Sequence, residues 1–530
     1  MSDSKSILWI DDEIDLLRAH SLYLEERGYS ITPVTNGPDA LELVRRQRFD
    51  LALVDEIMPA MSGLEVIAEL KRLKPNLPVV MVTKNEAEEL MEQAIGRKVE
   101  AFLTKPVNPS QILSALKNVL DRRQISASEL TRRWAAEFSE LARSVDMVET
   151  WPEWLNLHEN LSRWELELDL WDEAQLQAML RDLRGEADRR LARWVEENYA
   201  HWLSQLSKER PPLSIDLAET RLIPLILKNY AAKPTKPVLF LVVDCLRLDQ
   251  WLAIEPLLEE FFDIKREGYF SILPSATPYA RNALFSGLTP AELERVYPDL
   301  WAKSDEDEAS SNRFERQFLQ QLLARRGIEL KPDLRYVKVL EVEEAAEFEK
   351  RIQEYLRLPL TAMVYNFVDI LVHIRQSVEV LKEMLPDESA LRSVTRTWFQ
   401  HSSLYRILRA YGEVGGTVLL TSDHGAIRVK RGAQVIGDRQ TSASLRYKHG
   451  RNLKVDAKQS VRIAEPLRWG LPKRGINTEY ILAKEDNFFV YPTNYHHYLE
   501  VFKDSFQHGG ISLEEMALPV VTMTGKGKKG

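Results

Sequence analysis

Three observations predict a multidomain α/β fold for this chain. At 530 residues it is longer than one hydrophobic core accommodates, since single domains run to about 100–200 residues. In two separate regions, short apolar runs alternate with amphipathic stretches, the rhythm of strands covered by helices. Between them, residues 123–215 hold almost no β-rich runs and mix acids and bases at helical spacing, as in LRDLRGEADRRLARWVEENYAHWL. That pattern predicts a helical bundle connector.

The first region is residues 1–122. SILWI, YSITPV, DLALV, PVVMVT and EAFLT predict five buried strands, forming a doubly wound parallel sheet with functional groups at the strands' C-terminal ends. Those ends carry Asp11 and Asp12, then Asp55, then Thr83, then Lys105. Three converging carboxylates repel one another unless a hard cation such as Mg2+ sits among them. A phosphate on one of them would also meet a hydroxyl and an ammonium. Each residue alone reads equally as a strand-end or capping group; the weight lies in five of them arriving in order over five strands.

The connector holds seven of the twelve tryptophans, at 134, 151, 154, 164, 171, 194 and 202. Tryptophans at such spacing belong to a core rather than a ligand cage. ERPPLSI, 209–215, is the expected linker into the third region, residues 216–530.

There KPVLFLVVD, TAMVYNFVD, TVLLTSD and PVVTM predict buried strands, three of them ending in an acid. Asp244 follows the first, Asp369 and His373 are spaced by four, Asp423 and His424 are adjacent, and His508 precedes two glycines. A helix beginning at Asp369 would put it and His373 on one face. Carboxylate and imidazole are suitable zinc ligands, and three of each make two mixed sets able to hold the attacking and leaving oxygens of a phosphoryl transfer. Taken singly, an acid after a strand is ordinarily a helix cap and a lone histidine structural. The histidines at 20, 158, 201, 401, 496 and 497 are read as structural. Thr277, in PSATPYARNALFSG, has two readings: followed by Pro278 it fits a helix N-cap, and the same exposed hydroxyl suits a nucleophile attacking an anionic ester.

The net charge of −9 and pI near 5.8 argue against a general nucleic-acid coat. A single cysteine, Cys245, excludes an internal disulfide framework and a cysteine-rich zinc module; it is read as a small buried residue. The N-terminus has no basic region followed by a long apolar run, and no segment reaches the roughly 18 uninterrupted apolar residues of a membrane span. A cytoplasmic location without membrane insertion is the expectation. The tail GKGKKG, 525–530, reads as a solvated end.

Residues 4–122 resemble the receiver domain of two-component response regulators, on Asp11, Asp12, Asp55, Thr83 and Lys105. The resemblance implies a CheY-like fold with Asp55 as phosphoacceptor and a sensor histidine kinase as partner. It also implies Mg2+ held by Asp11, Asp12, Asp55 and the Ile57 carbonyl, with Thr83 and Lys105 reading the phosphoryl group and Phe102 at the aromatic switch position. From about 237 to 523, the ordered series Asp244, Thr277, Asp369, His373, Asp423, His424, His508 resembles the PglZ-type branch of the alkaline phosphatase superfamily. Its most specific stretches are SATPYARNALFSG, TSDHG and HGGISLEEMALPVV. That resemblance implies an alkaline-phosphatase-like α/β domain with two Zn2+: one on Asp244, Asp423 and His424, the other on Asp369, His373 and His508, with Thr277 as nucleophile. Receiver, helical connector and PglZ-type domain in this order resemble the PorX response regulators of Bacteroidetes over the whole chain. This implies control of type IX secretion, a sigma factor partner, and phosphodiesterase activity on linear and cyclic oligonucleotides.

Two groups of substrate-binding candidates stand out. Arg281 lies four residues after Thr277, with Asn282 beside it; either could contact a phosphate oxygen, and Arg281 reads equally as a surface residue of the first helical turns. In RQTSASLRYKHGRNLKV, 439–455, Arg446, Lys448, His449 and Arg451 cluster around Tyr447, which suits an anionic ligand with bases to stack on; as a bare charge run it is a solvated face. Two functional hypotheses follow. In one, Asp55 phosphorylation controls a zinc phosphodiesterase and the connector pairs two chains as a homodimer. In the other, zinc is structural and the output is binding to a transcription factor or secretion component. A sequence-specific DNA-binding output is disfavoured, because such outputs are compact, basic and helical.

Overall fold

The computed structural model describes residues 4–74, 76–84, 99–171, 173–204, 209–232, 235–304, 314–375, 378–437, 444–475 and 477–528. The chain forms two compact units, Met1–Glu140 and Leu141–Gly530. No described helix is long and apolar enough to cross a membrane.

In the first unit, β1 (Lys5–Ile10), β2 (Tyr29–Val34), β3 (Leu51–Asp55), β4 (Val79–Thr83) and β5 (Ala101–Thr104) form a sheet of order β2-β1-β3-β4-β5. Every pairing is parallel. Alternate side chains of β1 point to opposite faces: Leu8 and Ile10 join one core with Val54, Val66 and Met81, while Ile7 and Trp9 join the other with Leu53, Val80 and Ile112. Helices α1 (Arg18–Glu25), α2 (Gly37–Arg46) and α3 (Gly63–Leu73) fall between strands. The Asn36 side chain caps α2, accepting from Asp39 N at 3.0 Å, and Ser62 with Glu65 forms a capping box at α3.

Helix α4 (Pro109–Met147) contributes Ile112 and Leu116 to the second core. It then continues past position 122, where the sequence reading sets a domain boundary. No glycine or proline interrupts residues 110–147, so nothing breaks the helix there; the compact units divide after Glu140.

The second unit begins with the end of α4, followed by α5 (Trp151–Asp169) and α6 (Ala174–Ser204). Of the seven tryptophans, Trp134, Trp154, Trp164 and Trp202 are buried and Trp151, Trp171 and Trp194 half-buried; Trp154 and Trp194 ring centroids lie 5.8 Å apart, Trp194 and Trp202 4.5 Å, and Trp194 and Phe270 5.8 Å. The main sheet has six strands: β6 (Val238–Val243), β7 (Phe262–Phe270), β8 (Arg335–Val339), β9 (Leu360–Tyr365), β10 (Thr417–Thr421) and a final strand β11 (Ala517–Gly525). Their order is β7-β11-β10-β6-β9-β8, with β11 antiparallel to both neighbours and the other pairings parallel.

Two expectations change here. TAMVYNFVD is not strand throughout: β9 ends at Tyr365, and Asp369 lies in the following segment, Phe367–Ile374, which is helical. Strands β7, FDIKREGYF, and β8, RYVKV, are additional; as edge strands they carry charged residues along an exposed side, so neither reads as a buried apolar run.

Candidate active site and phosphoacceptor site

In the first unit, ligand atoms of Asp11, Asp12 and Asp55 lie within 4.8 Å of one another. Lys105 Nζ lies 3.0 Å from Asp11 Oδ2 and 2.8 Å from Asp55 Oδ1. Burial raises the Asp55 carboxyl above its ordinary range, with the Asp11 and Asp12 charges adding to it and Lys105 opposing. Burial works against the Lys105 ammonium, but its hydrogen bonds to Asp55 and Asp11 outweigh this and raise its pKa. The Thr83 hydroxyl donates to Glu56 Oε2, so it is engaged with the residue after Asp55 rather than standing open. Phe102 is partly buried against the Leu8–Met81 core, and Ile57 is exposed, two residues beyond Asp55.

In the second unit, the groups singled out from the sequence gather outside the carboxyl ends of β6, β9 and β10. Strand β6 lies between β9 and β10, and the crevice outside the carboxyl ends of neighbouring parallel strands is the usual place for a ligand in an open α/β sheet. Asp244 directly follows β6, and its N–H donates to Tyr365 O at 2.9 Å. The next residue, Cys245, is buried with φ of 65°, a left-handed conformation that a non-glycine residue adopts only when its surroundings enforce it. They do so here: Leu246 N donates to Ser422 Oγ at 2.9 Å, tying the turn after β6 to the turn after β10.

Asp423 and His424 occupy that second turn. Gly425 follows because a Cβ there would collide with the Glu514 carbonyl. His424 Nδ1 faces Gly425 O at 3.2 Å; a carbonyl only accepts, so Nδ1 carries the proton and Nε2 presents its lone pair. Asp244 Oδ1 lies 3.6 Å from that Nε2 and Asp423 Oδ2 3.8 Å. Beside them, His373 Nε2 lies 3.3 Å from Asp369 Oδ1, His508 Nε2 3.7 Å from the same oxygen, and the two imidazole nitrogens are 3.3 Å apart. The helix Phe367–Ile374 brings Asp369 and His373 onto one face, as their spacing requires. The His424 and His508 rings stack at 4.2 Å, so the two sets adjoin. Burial above all holds His508 well below the usual imidazole range, keeping it neutral and able to ligate.

Thr277 is not the cap of its helix. The helix Thr277–Ser286 has Ala276 at the N-cap position and no side-chain cap bond. The Thr277 hydroxyl instead donates to His424 Nε2 at 2.8 Å.

The substrate-binding candidates land differently. Arg281 is fully buried and contacts Asp244 and Asp423, so it is neither a surface residue nor open to a substrate. Asn282 is buried, with Nδ2 donating to Pro278 O at 2.9 Å; its Oδ1 has no partner. Arg446 is also fully buried, donating through Nε to Glu515 Oε1 at 2.9 Å. Lys448 is buried, its Nζ 4.9 Å from the Tyr491 ring centroid. His449 is half-buried against Tyr480, its imidazole pushed down to about 4 by burial and by Arg474 and Lys448. Of the four basic residues only Arg451 is exposed. The stretch therefore forms no open basic groove among the described residues; 439–443 lie outside them.

Glu515 was not foreseen, and it shapes the His508 loop. Its carboxylate accepts from Gly510 N at 2.8 Å and from Ser512 Oγ at 2.8 Å, besides Arg446. The available signal was the Ser512-x-x-Glu515 spacing of a capping box. Gly509, at φ of 115°, makes the turn between His508 and this anchor.

The donor sets fit metal ions. Asp244 Oδ1 and Asp369 Oδ1 are buried without a hydrogen-bond partner, a costly state for a carboxylate oxygen unless a cation completes it. Within each set, carboxylate and imidazole mix as zinc prefers.

A family model described as the BREX system PglZ alkaline phosphatase-like domain matches residues 226–523, more than half of the chain. The chain belongs to the PglZ family. Ahead of the PglZ domain, models of the response regulator receiver domain and the PorX response regulator linker domain match residues 7–117 and 124–203, which is the domain order of a PorX-like response regulator. The chain is similar to the transcriptional regulatory protein GlrR of Escherichia coli (strain K12), 30% identical over 128 residues, covering 24% of this chain and 28% of that protein. It is also similar to the alginate biosynthesis transcriptional regulatory protein AlgB of Pseudomonas aeruginosa, 34% identical over 144 residues, 27% of this chain and 31% of that protein. It thus spans less than a third of the length of these relatives. A solved CheY-like receiver domain protein from Methanospirillum hungatei JF-1 is 30% identical, with a TM-score of 0.22, covering 23% of this chain and 98% of its own.

Proposed function

We propose that this protein is a response regulator in which phosphorylation of Asp55 by a sensor histidine kinase controls zinc-dependent phosphodiester hydrolysis by the PglZ domain. The observation that carries the hydrolytic reading is the Thr277 hydroxyl: at a helix start, engaged with no cap, it lies 2.8 Å from His424 Nε2, inside a double set of aspartates and histidines. Asp244, Asp423 and His424 would hold one divalent ion and Asp369, His373 and His508 another. When bound, such ions supply the Lewis acidity that favours an ionised hydroxyl and offsets charge on a phosphoryl oxygen. Thr277 Oγ loses its proton and forms the bond to phosphorus as the bond from phosphorus to the leaving alcohol breaks, and that alcohol takes up a proton. Water then releases the phosphoryl group and restores the hydroxyl. The Nδ1–H of His424, held by Gly425 O, keeps the imidazole in the tautomer that leaves Nε2 facing Thr277.

At the regulatory end, Asp11, Asp12 and Asp55, with the Ile57 carbonyl, would hold Mg2+, and Lys105 steadies the phosphoryl group on Asp55, with Thr83 and Phe102 responding to it. The PorX-like domain order supports oligonucleotides, linear or cyclic, as substrates, a link to type IX secretion with a sigma factor as partner, and a homodimer formed on phosphorylation. The test is hydrolysis of bis-p-nitrophenyl phosphate and of a cyclic dinucleotide by the full-length protein. Activity should disappear on chelation and return with zinc; turnover untouched by exhaustive chelation would refute the metal-dependent reading.

A further inference from the structure

Arg281 is fully buried, and burial of a guanidinium is costly unless its charge and donors are matched. Here the charge is matched by two of the proposed metal ligands. Its Nε donates to Asp423 Oδ2 at 2.9 Å and its Nη2 abuts Asp244 Oδ2, while Nη1 lies 3.9 Å from the buried Glu315. One planar fork therefore spans carboxylates that arrive from different strands, Asp244 from the end of β6 and Asp423 from the end of β10. Neither Asp244 oxygen has a hydrogen-bond partner: Oδ2 is in ion-pair contact with the guanidinium, and Oδ1 lies 3.6 Å from His424 Nε2.

Arg281 also lies four residues after Thr277, on the same face of one helix. The Thr277 hydroxyl meets His424 and the Arg281 guanidinium meets Asp423, so two contacts one helical turn apart fasten this helix to adjacent residues of the β10 turn. We propose that Arg281 is a positioning residue: its fork sets the orientation of Asp244 and Asp423 for one metal ion and fixes Thr277 against the same site. It does not clamp substrate phosphate. A lysine would keep the charge but lose the planar, two-sided geometry.

This rests on the reading of Asp244, Asp423 and His424 as a metal site, and the experiment separates the two. Full-length wild type, Arg281→Gln and Arg281→Lys are dialysed against buffered free zinc, and bound metal is counted by mass spectrometry. Wild type should bind zinc at both PglZ sets; if it does not, the metal reading fails before the variants are considered. In both variants one of these sites should weaken by about 10–100-fold, the usual cost of losing a group that orients a ligand, with the other unchanged. Charge alone predicts the opposite for Arg281→Gln, because removing a neighbouring cation would tighten a bound one. The visible spectrum of cobalt-loaded protein should accordingly keep the bands of the Asp369, His373 and His508 set and lose those of its neighbour. A general loss of packing would disturb both sets. Unchanged or tighter binding, or equal weakening of both sites, overturns the proposal; if Arg281→Gln does not fold, Arg281→Lys decides.

Discussion

Thr277, Cys245 and Asp188 each occupy a position whose local chemistry differs from its ordinary use. Thr277 begins a helix without capping it, and Cys245 accepts a left-handed backbone so that the chain can turn directly behind Asp244. Asp188, on α6, accepts from Leu513 N at 2.8 Å and is buried beside Glu514, Arg184 and Glu515. Burial first, then the Glu514 charge, push its carboxyl well above the ordinary 3.8, against the Leu513 N–H and Arg184. A carboxyl raised by folding contributes stability that is fully present below its unfolded pKa and lost as pH rises through the folded one. Asp188→Asn keeps an acceptor oxygen for Leu513 N and cannot ionise. Its melting temperature should therefore exceed that of wild type at pH 8, and the advantage should shrink toward pH 4; a variant less stable at both pH values would contradict this account of Asp188.

At the scale of elements, the strands of the first unit and the apolar strands of the second were legible because a buried strand leaves an uninterrupted apolar run. The Asp369–His373 spacing was legible as one helical face, and the segment Phe367–Ile374 is a helix. Edge strands β7 and β8 were not legible, since a strand exposed along one side alternates with charge. Buried arginines were misread for a related reason: the sequence does not distinguish a guanidinium in solvent from one inside an ion pair. Arg281 and Arg446 looked like ligand contacts, yet one spans Asp244 and Asp423 and the other anchors Glu515 beneath the His508 loop. The same holds for Arg392, which donates to Asp169 at 2.7 Å and Asp249 at 2.8 Å. Asp249 in turn pairs with Arg247, whose Nη1 donates to Ala426 O at 3.3 Å. This chain of buried ion pairs runs from α5 to the turn that carries His424. Pairings between residues so far apart in sequence are a property of the fold and leave no local pattern.

Over the whole molecule, two sites lie in separate compact units of one chain: an acidic cluster with Lys105 at the ends of β1, β3 and β5, and a double aspartate–histidine set with Thr277 in the PglZ domain. The proposed order of events puts phosphorylation at the first and ester hydrolysis at the second. If phosphorylation also pairs two chains, an acyl-phosphate donor should about double the mass of wild type by light scattering, and Asp55→Asn should stay at its starting mass. An unchanged wild-type mass across a wide concentration range would remove dimerisation from the account. The central claim is that the Thr277 hydroxyl is the nucleophile. The most direct measurement is zinc-loaded hydrolysis of bis-p-nitrophenyl phosphate by wild type, Thr277→Ser and Thr277→Ala, with metal content verified for each. Because Thr277 caps nothing, all three should fold alike; Thr277→Ser should retain turnover, and Thr277→Ala should lose it by on the order of a thousandfold. Wild-type turnover by Thr277→Ala at full zinc occupancy would contradict the claim.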